Sequence, residues 1–386
     1  MKVIAVILRI LLLIVALAVL ALALGTMVPA IPFVGSIGAY IVLGGYRYFI
    51  PAVTACFVLA VILFAIRRKA LLLMSAVCLV ATVCLSCVCL SSVIMTYGEE
   101  GVEVDVTKTY DMRTSADVRL ETVSYLAKET GDLLLDVYYV EDEVKDKPVI
   151  VYVHGGGWIS GSRLDHAYYS RKYAEAGYVA VSIDYTLSTE TRHCVDGCER
   201  EVTAAFAWVK ANIAAYGGST AKLYVTGDSA GGNLALDVSY KINDEVYTDY
   251  EGAALPKVTA VAVTYPVAYP SVFWANDDLV LGSVAKAMCE QYTGTKPEAS
   301  PEVYDGITPA DYIDAFTPPT MVIVGKADTM VQPEQSYDLI AALEKGGIDN
   351  RLVAIPYLNH GFDTMDGDIN SQGVLALTLA WFAAHP

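Results

Sequence analysis

The sequence has 386 residues, of which 55% are hydrophobic, and it carries a formal net charge of −17. An ordinary soluble domain is about 45–50% apolar, so this chain is unusually rich in apolar residues for one so acidic. The apolar content excludes disorder for the bulk of the chain. The acidic balance argues against a nucleic-acid partner, because such proteins need a basic face.

The charges are divided unevenly along the chain. All 43 acidic residues and 20 of the 26 basic residues lie from Glu99 onward, so the first 98 residues carry +6 and the remainder −23. This division predicts a membrane part at residues 1–98 and a large acidic domain after it.

Three apolar segments of the first part are long enough to cross the ~30 Å core of a bilayer. They are 4–24, 48–66 and 70–95. The shorter apolar stretch 34–43 is predicted to be a loop or an interfacial segment. Because no acidic residue lies within the spans, we expect a membrane anchor and not a channel or a proton relay.

Basic residues predict the orientation of the anchor. Arg67, Arg68 and Lys69 lie between the second and third spans and are expected to stay in the cytoplasm, as is Lys2. The part after Tyr97 then lies on the extracytoplasmic side, which predicts a multi-pass protein of the cell membrane. The alternative, a first segment cleaved as a signal peptide, also exports that part.

Five of the eight cysteines lie in the apolar segments, where they are expected to pack as small hydrophobic residues. Cys194 and Cys198 leave three alternatives open: a local disulfide, free thiols, or a metal site with His193. The metal site is disfavoured because no second pair of ligands is visible. We therefore expect no metal and no cofactor.

Residues 99–132 are interpreted as a linker with a lead-in strand, and residues 133–386 as a catalytic domain. Its strands are predicted at 118–126, 133–140, 148–153, 178–183, 223–226, 258–264, 320–324 and 351–355. Helices are predicted at 199–215, 230–242, 333–345 and 373–384. Strands that alternate with helices predict an α/β fold, with a mostly parallel sheet of eight strands covered on both faces.

The segment Gly227-Asp228-Ser229-Ala230-Gly231-Gly232 follows one of these strands and precedes a helix. A Gly-x-Ser-x-Gly turn in that context places the serine on a sharp strand-to-helix corner. Ser229 is therefore the candidate nucleophile, with Asp228 as a supporting residue.

The segment His154-Gly155-Gly156-Gly157-Trp158 ends the buried strand 148–153. Successive glycines let backbone N–H groups approach a ligand oxygen, as an oxyanion hole requires. The N–H of Ala230, which directly follows the nucleophile, is the predicted second donor. His154, Gly155 and Trp158 are expected to support this loop.

A general base and its orienting acid are expected after the serine. His360 follows the last predicted strand, whereas His385 is the penultimate residue, so His360 is the predicted base. Asp328 follows the strand 320–324, from whose end a carboxylate can reach a histidine at the end of the neighbouring strand. Asp328 is therefore the predicted acid.

Together these motifs resemble the α/β-hydrolase fold esterases of the hormone-sensitive-lipase-like group, close to its small bacterial branch. The resemblance covers residues 133 to 386 and implies serine carboxylesterase activity, with Ser229 as the nucleophile and Asp328 and His360 as its partners. It also implies that the oxyanion donors are Gly156, Gly157 and Ala230, with Gly155 as an alternative to one of them. A departure at Thr186-Leu187-Ser188-Thr189 changes a loop that shapes the pocket in this group.

The expected substrates are short- to medium-chain acyl esters, carried by a small molecule, a lipid or a glycan, with the lipid bilayer as a second partner. Two alternatives stay open from the sequence. One is an amidase or peptidase that uses the same triad, and the other is a membrane-anchored binding module without catalysis.

Overall fold

The computed structural model describes residues 2–29, 31–67, 69–129, 131–249 and 252–386. Arg68, one residue of the predicted cytoplasmic cluster, lies outside the described residues, and the side chain of Lys2 is not described.

The chain folds into two compact units, each built from segments that are not contiguous in the sequence. The first unit joins the N-terminal part to two short segments that return from late in the chain; its segments are Met1–Thr109, Gly325–Thr329 and Ile355–Ser371. The second unit consists of Tyr110–Val324, Met330–Ala354 and Gln372–Pro386.

Three long apolar helices form the first unit: α1 (Lys2–Met27), α3 (Tyr46–Arg67) and α4 (Ala70–Glu99). At 1.5 Å per residue each is long enough to cross a bilayer core, as the sequence predicts. Small side chains, among them Ala16, Ala60 and Ala76, are buried where these helices pack. Small residues allow such close packing where apolar burial alone gives little driving force.

A short helical segment separates α1 from α3. It consists of α2 (Val34–Gly38) and a π-helical turn (Ala39–Gly44), so the stretch predicted as a loop or interfacial segment is helical but too short to span. A Cβ atom on Gly35 would lie 2.2 Å from the carbonyl oxygen of Pro29. Only glycine permits this close return of the backbone.

One eight-stranded sheet organises the rest of the chain, with the order β1-β2-β4-β3-β5-β6-β7-β8. The strands are β1 (Val118–Leu126), β2 (Leu133–Val140), β3 (Lys147–Val153), β4 (Val179–Ile183), β5 (Gly218–Asp228), β6 (Ala260–Thr264), β7 (Thr320–Gly325) and β8 (Asn350–Ile355). β1 pairs antiparallel with β2, and β2 pairs antiparallel with β4. The pairs β4–β3, β3–β5, β5–β6 and β6–β7 are parallel. This is the mostly parallel sheet that the sequence predicts, and the fold is that of an α/β-hydrolase.

The helices between the strands are α5 (Ala167–Glu175), α6 (Val195–Asn212), α7 (Ser229–Asn243), α8 (Pro270–Trp274), α9 (Gly282–Thr293), α10 (Pro301–Asp305), α11 (Glu334–Gly346) and α12 (Ile369–Ala384). The sequence analysis predicts α6, α7, α11 and α12 and misses α5, α8, α9 and α10. The four missed helices have at most 12 residues and mix polar with apolar residues, which weakens the apolar periodicity that identifies a helix.

Cys194 and Cys198 are buried free thiols at the start of α6. The hydrogen bond between them lowers the pKa of Cys194 to about 6 and raises that of Cys198. Among the described residues no group of three or more His, Cys, Asp or Glu side chains is arranged to hold a metal ion.

A buried ion cluster ties α6 to α7. The Lys241 ammonium donates to Glu199 Oε2 and Asp237 Oδ2, both at 2.7 Å, and to the Gly306 carbonyl at 2.8 Å. All three side chains are at most 5% exposed. Burial and the neighbouring Glu199 raise the pKa of Asp237. The lysine charge therefore compensates two carboxyl groups that lack contact with water.

Removing this charge is expected to destabilise the second unit. Breaking a buried ion cluster from one side costs about 3–5 kcal/mol, so Lys241→Met should lower the melting temperature by roughly 5–15 °C. Thermal unfolding of the detergent-solubilised protein, followed by tryptophan fluorescence, measures the shift. The matched variant Lys222→Met, at an exposed position of β5, should melt within about 2 °C of the wild type. Equal melting temperatures for both variants would contradict this account.

Candidate active site

Ser229 lies at a strained corner between β5 and α7. Its φ angle is 53°, in the left-handed region that side chains other than glycine rarely adopt. A Cβ on Gly227 would lie 2.7 Å from the Gly231 carbonyl oxygen, and a Cβ on Gly231 would lie 2.2 Å from that of Val153. Both glycines of this serine turn (residues 227–231) are therefore required by close backbone approaches, as the motif predicts.

The glycine loop (residues 154–158) contacts the serine turn through Asp228. Asp228 Oδ1 accepts hydrogen bonds from the Gly155 N–H at 3.2 Å and from the Tyr152 hydroxyl. Gly156 and Gly157 follow with φ angles of 104° and 62°. The Gly155 amide is thus engaged with the carboxylate, and the next two amides belong to residues whose conformation favours glycine.

His154 and Trp158 hold the two ends of the glycine loop by stacking. The His154 ring is buried and lies parallel to Tyr185, with 4.2 Å between centroids, and its Nδ1 donates to the Gly155 carbonyl at 2.8 Å. Burial lowers the pKa of His154 and so favours the neutral ring. Trp158 stacks on Tyr292 with 4.5 Å between centroids. Both side chains therefore have contacts suited to supporting the loop.

His360 and Asp328 form a hydrogen-bonded pair within the first unit. Asp328 follows β7 and His360 follows β8, and Asp328 Oδ2 lies 2.8 Å from His360 Nδ1. The carboxylate side chain is fully buried, whereas the imidazole is 15% exposed. With Nδ1 as the donor, Nε2 is the ring nitrogen that can accept a proton.

Asn359 is a site residue that the sequence analysis missed. Its Oδ1 accepts the backbone N–H groups of His360 at 2.7 Å and of Thr329 at 3.0 Å. It therefore links the residue before the histidine to the residue after Asp328. No local pattern marks this role, since an asparagine beside a histidine in a loop is otherwise an ordinary turn residue.

The predicted site residues fall into two groups by unit. The structure brings Ser229, Ala230, Asp228 and the glycine loop together in the second unit, and Asp328 with His360 in the first. Each group has the internal contacts described above.

Asp368 ends the segment that follows His360 and caps α12. Its Oδ1 accepts the N–H groups of Asn370 at 2.9 Å and Ser371 at 2.8 Å, and its side chain has no exposure to solvent. Burial, reinforced by the nearby Asp363, raises the pKa of Asp368 to about 7. The folded protein therefore favours the protonated carboxyl group.

This raised pKa predicts a pH dependence of stability. Protonated Asp368 contributes its full stabilisation of the folded state below the ordinary pKa of 3.8. This contribution is lost as the pH rises through about 7, because the carboxylate then ionises while it is buried. Asp368→Asn keeps the cap and has no charge, so it should gain about 2–3 kcal/mol over the wild type between pH 5 and pH 8. Thermal unfolding at both pH values measures this gain. The control variant Asp132→Asn, at an exposed position, should show no gain in stability at either pH. A gain in Asp368→Asn that does not depend on pH would contradict the prediction.

Most of the second unit matches the profile of a known protein family. The profile of the BD-FAE family matches residues 135–343. Esterase LipC of Mycobacterium tuberculosis is 30% identical over 260 residues, which are 65% of this chain and 62% of that protein. Esterase LipQ of the same organism is 30% identical over 60% of this chain and 54% of its own length. The chain thus matches about half to three-fifths of the length of these curated relatives.

Solved structures of esterases share the fold. Inhibited esterase B from Lactobacillus rhamnosis superimposes with a TM-score of 0.59 at 22% identity, covering 77% of this chain and 96% of that one. The esterase of Pyrobaculum calidifontis gives a TM-score of 0.59 at 22% identity over 76% and 92% of the two chains. At this level of identity the likeness establishes the fold alone.

Proposed function

Because this chain belongs to the BD-FAE family and has the fold of the esterases it resembles, we propose that it is a membrane-anchored serine carboxylesterase. It hydrolyses short- to medium-chain acyl esters through a triad of Ser229, His360 and Asp328. The observation that carries the proposal is the 2.8 Å bond between Asp328 Oδ2 and His360 Nδ1. A buried carboxylate that orients an imidazole is the arrangement by which serine hydrolases activate their nucleophile.

In the first step, His360 Nε2 takes the proton of Ser229 Oγ while Oγ attacks the carbonyl carbon of the ester. Negative charge develops on the carbonyl oxygen of the ester. The N–H groups of Gly156, Gly157 and Ala230 stabilise it by donating hydrogen bonds to that oxygen. The alcohol leaves with the proton from His360, and the acyl group remains on Ser229. In the second step His360 activates water, which releases the acid.

The three long apolar helices support membrane anchoring. Arg67 ends α3 and Lys69 precedes α4, and both favour a cytoplasmic position for the connection between these helices. The C-terminal ends of α1 and α4 then lie on the extracytoplasmic side of the membrane. The catalytic residues, which follow α4 in the chain, are accordingly proposed to act on the extracytoplasmic face.

The nucleophile is tested by Ser229→Ala in the full-length, detergent-solubilised protein. Hydrolysis of p-nitrophenyl butyrate should fall on the order of 10⁴-fold or more, because no other group forms the acyl-enzyme. Covalent labelling by a fluorophosphonate should disappear as well. Ser219→Ala, on the same strand, should keep the wild-type rate and labelling. Activity retained by Ser229→Ala would overturn the proposed function.

The oxyanion hole is tested by Gly156→Ala. The added Cβ would lie 2.2 Å from the Ser160 carbonyl oxygen at a φ of 104°, so the backbone must shift. We expect kcat to fall about 10–100-fold with little change in KM, since a displacement near 1 Å misaligns the donor. Gly177→Ala is the matched control: its φ is 93°, but nothing lies within 4 Å of its Cβ. Equal kcat values for the two variants would contradict the assignment.

A further inference from the structure

The residues around His360 have no regular secondary structure to hold them. The histidine loop (residues 356–368) joins β8 to α12 and contains neither helix nor strand. It includes three residues with positive φ, namely Tyr357, Gly361 and Gly367. A loop of this kind keeps one conformation only if other parts of the protein bind its backbone.

Arg47, in the first turn of α3, binds this backbone directly. Its Nη1 donates to the carbonyl oxygens of Asp366 and Thr109, both at 3.1 Å. Its guanidinium group also lies 5.0 Å from the ring centroid of Tyr48, within the range of a cation–π contact. The arginine thus joins the far end of the histidine loop to the chain that leaves the membrane helices.

Two further contacts from the same region reach the histidine loop and its flank. The Tyr46 hydroxyl oxygen accepts the N–H of Ile369 at 3.1 Å, directly after the loop. Asn359 Nδ2 lies 3.4 Å from the Ser36 carbonyl oxygen, directly before His360. The loop is therefore contacted near both of its ends by residues that precede the third long helix.

Arg47 is exceptional in the charge distribution of the membrane part. The other five basic residues of the first 98 lie in the first nine positions of the sequence or at positions 67–69. Arg47 lies at the opposite end of α3, where the positive-inside tendency disfavours it. The segment 363–368 holds three aspartates and no basic residue. Burial raises the pKa of Asp368, and the nearby charge of Arg47 opposes part of that rise.

We infer that Arg47 is a positioning residue for ester hydrolysis: through the Asp366 carbonyl, the membrane anchor fixes the loop that carries the general base. The inference rests on the proposed function and goes beyond attachment to a bilayer. It assigns the anchor a part in the alignment of His360 through the backbone of the loop.

The test compares Arg47→Met with Arg47→Lys in the full-length protein. Methionine keeps the apolar stem without donors, so kcat for p-nitrophenyl butyrate should fall about 10–100-fold, the loss typical of a base displaced by near 1 Å. KM should stay within about twofold, because substrate contacts are untouched. Lysine keeps one charged donor and should restore part of kcat. The rate of fluorophosphonate labelling at Ser229 should fall in parallel with kcat.

Arg67→Met, at the other end of α3, is the matched control and should leave kcat unchanged. Tyr46→Phe removes the acceptor for the Ile369 N–H and gives a second variant if Arg47→Met does not fold; its kcat should fall about 3–10-fold. A kcat unchanged in Arg47→Met and Tyr46→Phe, or a rise in KM alone, would overturn the inference and leave the esterase intact. Failure of the proposed esterase mechanism would be seen in a different variant, because Ser229→Ala would then keep its activity.

Discussion

The backbones of the serine turn and of β3 approach each other so closely that only glycine fits between them. A side chain on Gly231 would begin 2.2 Å from the Val153 carbonyl oxygen. β3 and β5 are parallel neighbours, with Val153 opposite Gly227 in the register. The chain therefore leaves both strands at the same level, and the glycine loop begins beside the serine turn. Asp228 can bind the Gly155 amide only because of this approach. The positions of Ser229 and of the proposed oxyanion donors both depend on it.

The sequence predicts those parts of the fold whose cause is local. β3, β4, β6 and β7 are buried on both faces and read as continuous apolar runs, which is why their positions are recognisable. The long apolar helices are recognisable for the same reason. The serine turn and the glycine loop are identifiable because their backbone conformations admit so few residue types.

Other features depend on contacts between residues far apart in the chain. The contact of Arg47 with Asp366 joins residues more than three hundred positions apart, and nothing in the local sequence of either residue signals it. Asn359 is similar, because its partners come from segments near Ser36 and Thr329. The prediction of Asp328 uses a topological rule, that neighbouring strand ends meet, and not proximity in sequence. In the structure the Asp328 carboxylate lies beside His360.

The membership of the histidine loop in the first unit bears on how such a protein can be divided or recombined. Cutting the chain after residue 98 would separate Asp328 and His360 from the helices with which they form one compact unit. Replacing α1, α3 and α4 by three unrelated apolar helices would preserve length and hydropathy but would not supply the guanidinium group of Arg47 or the hydroxyl of Tyr46. The apolar helices are therefore specific to their own histidine loop, and a change on either side of the contact between Arg47 and Asp366 constrains what the other side can become.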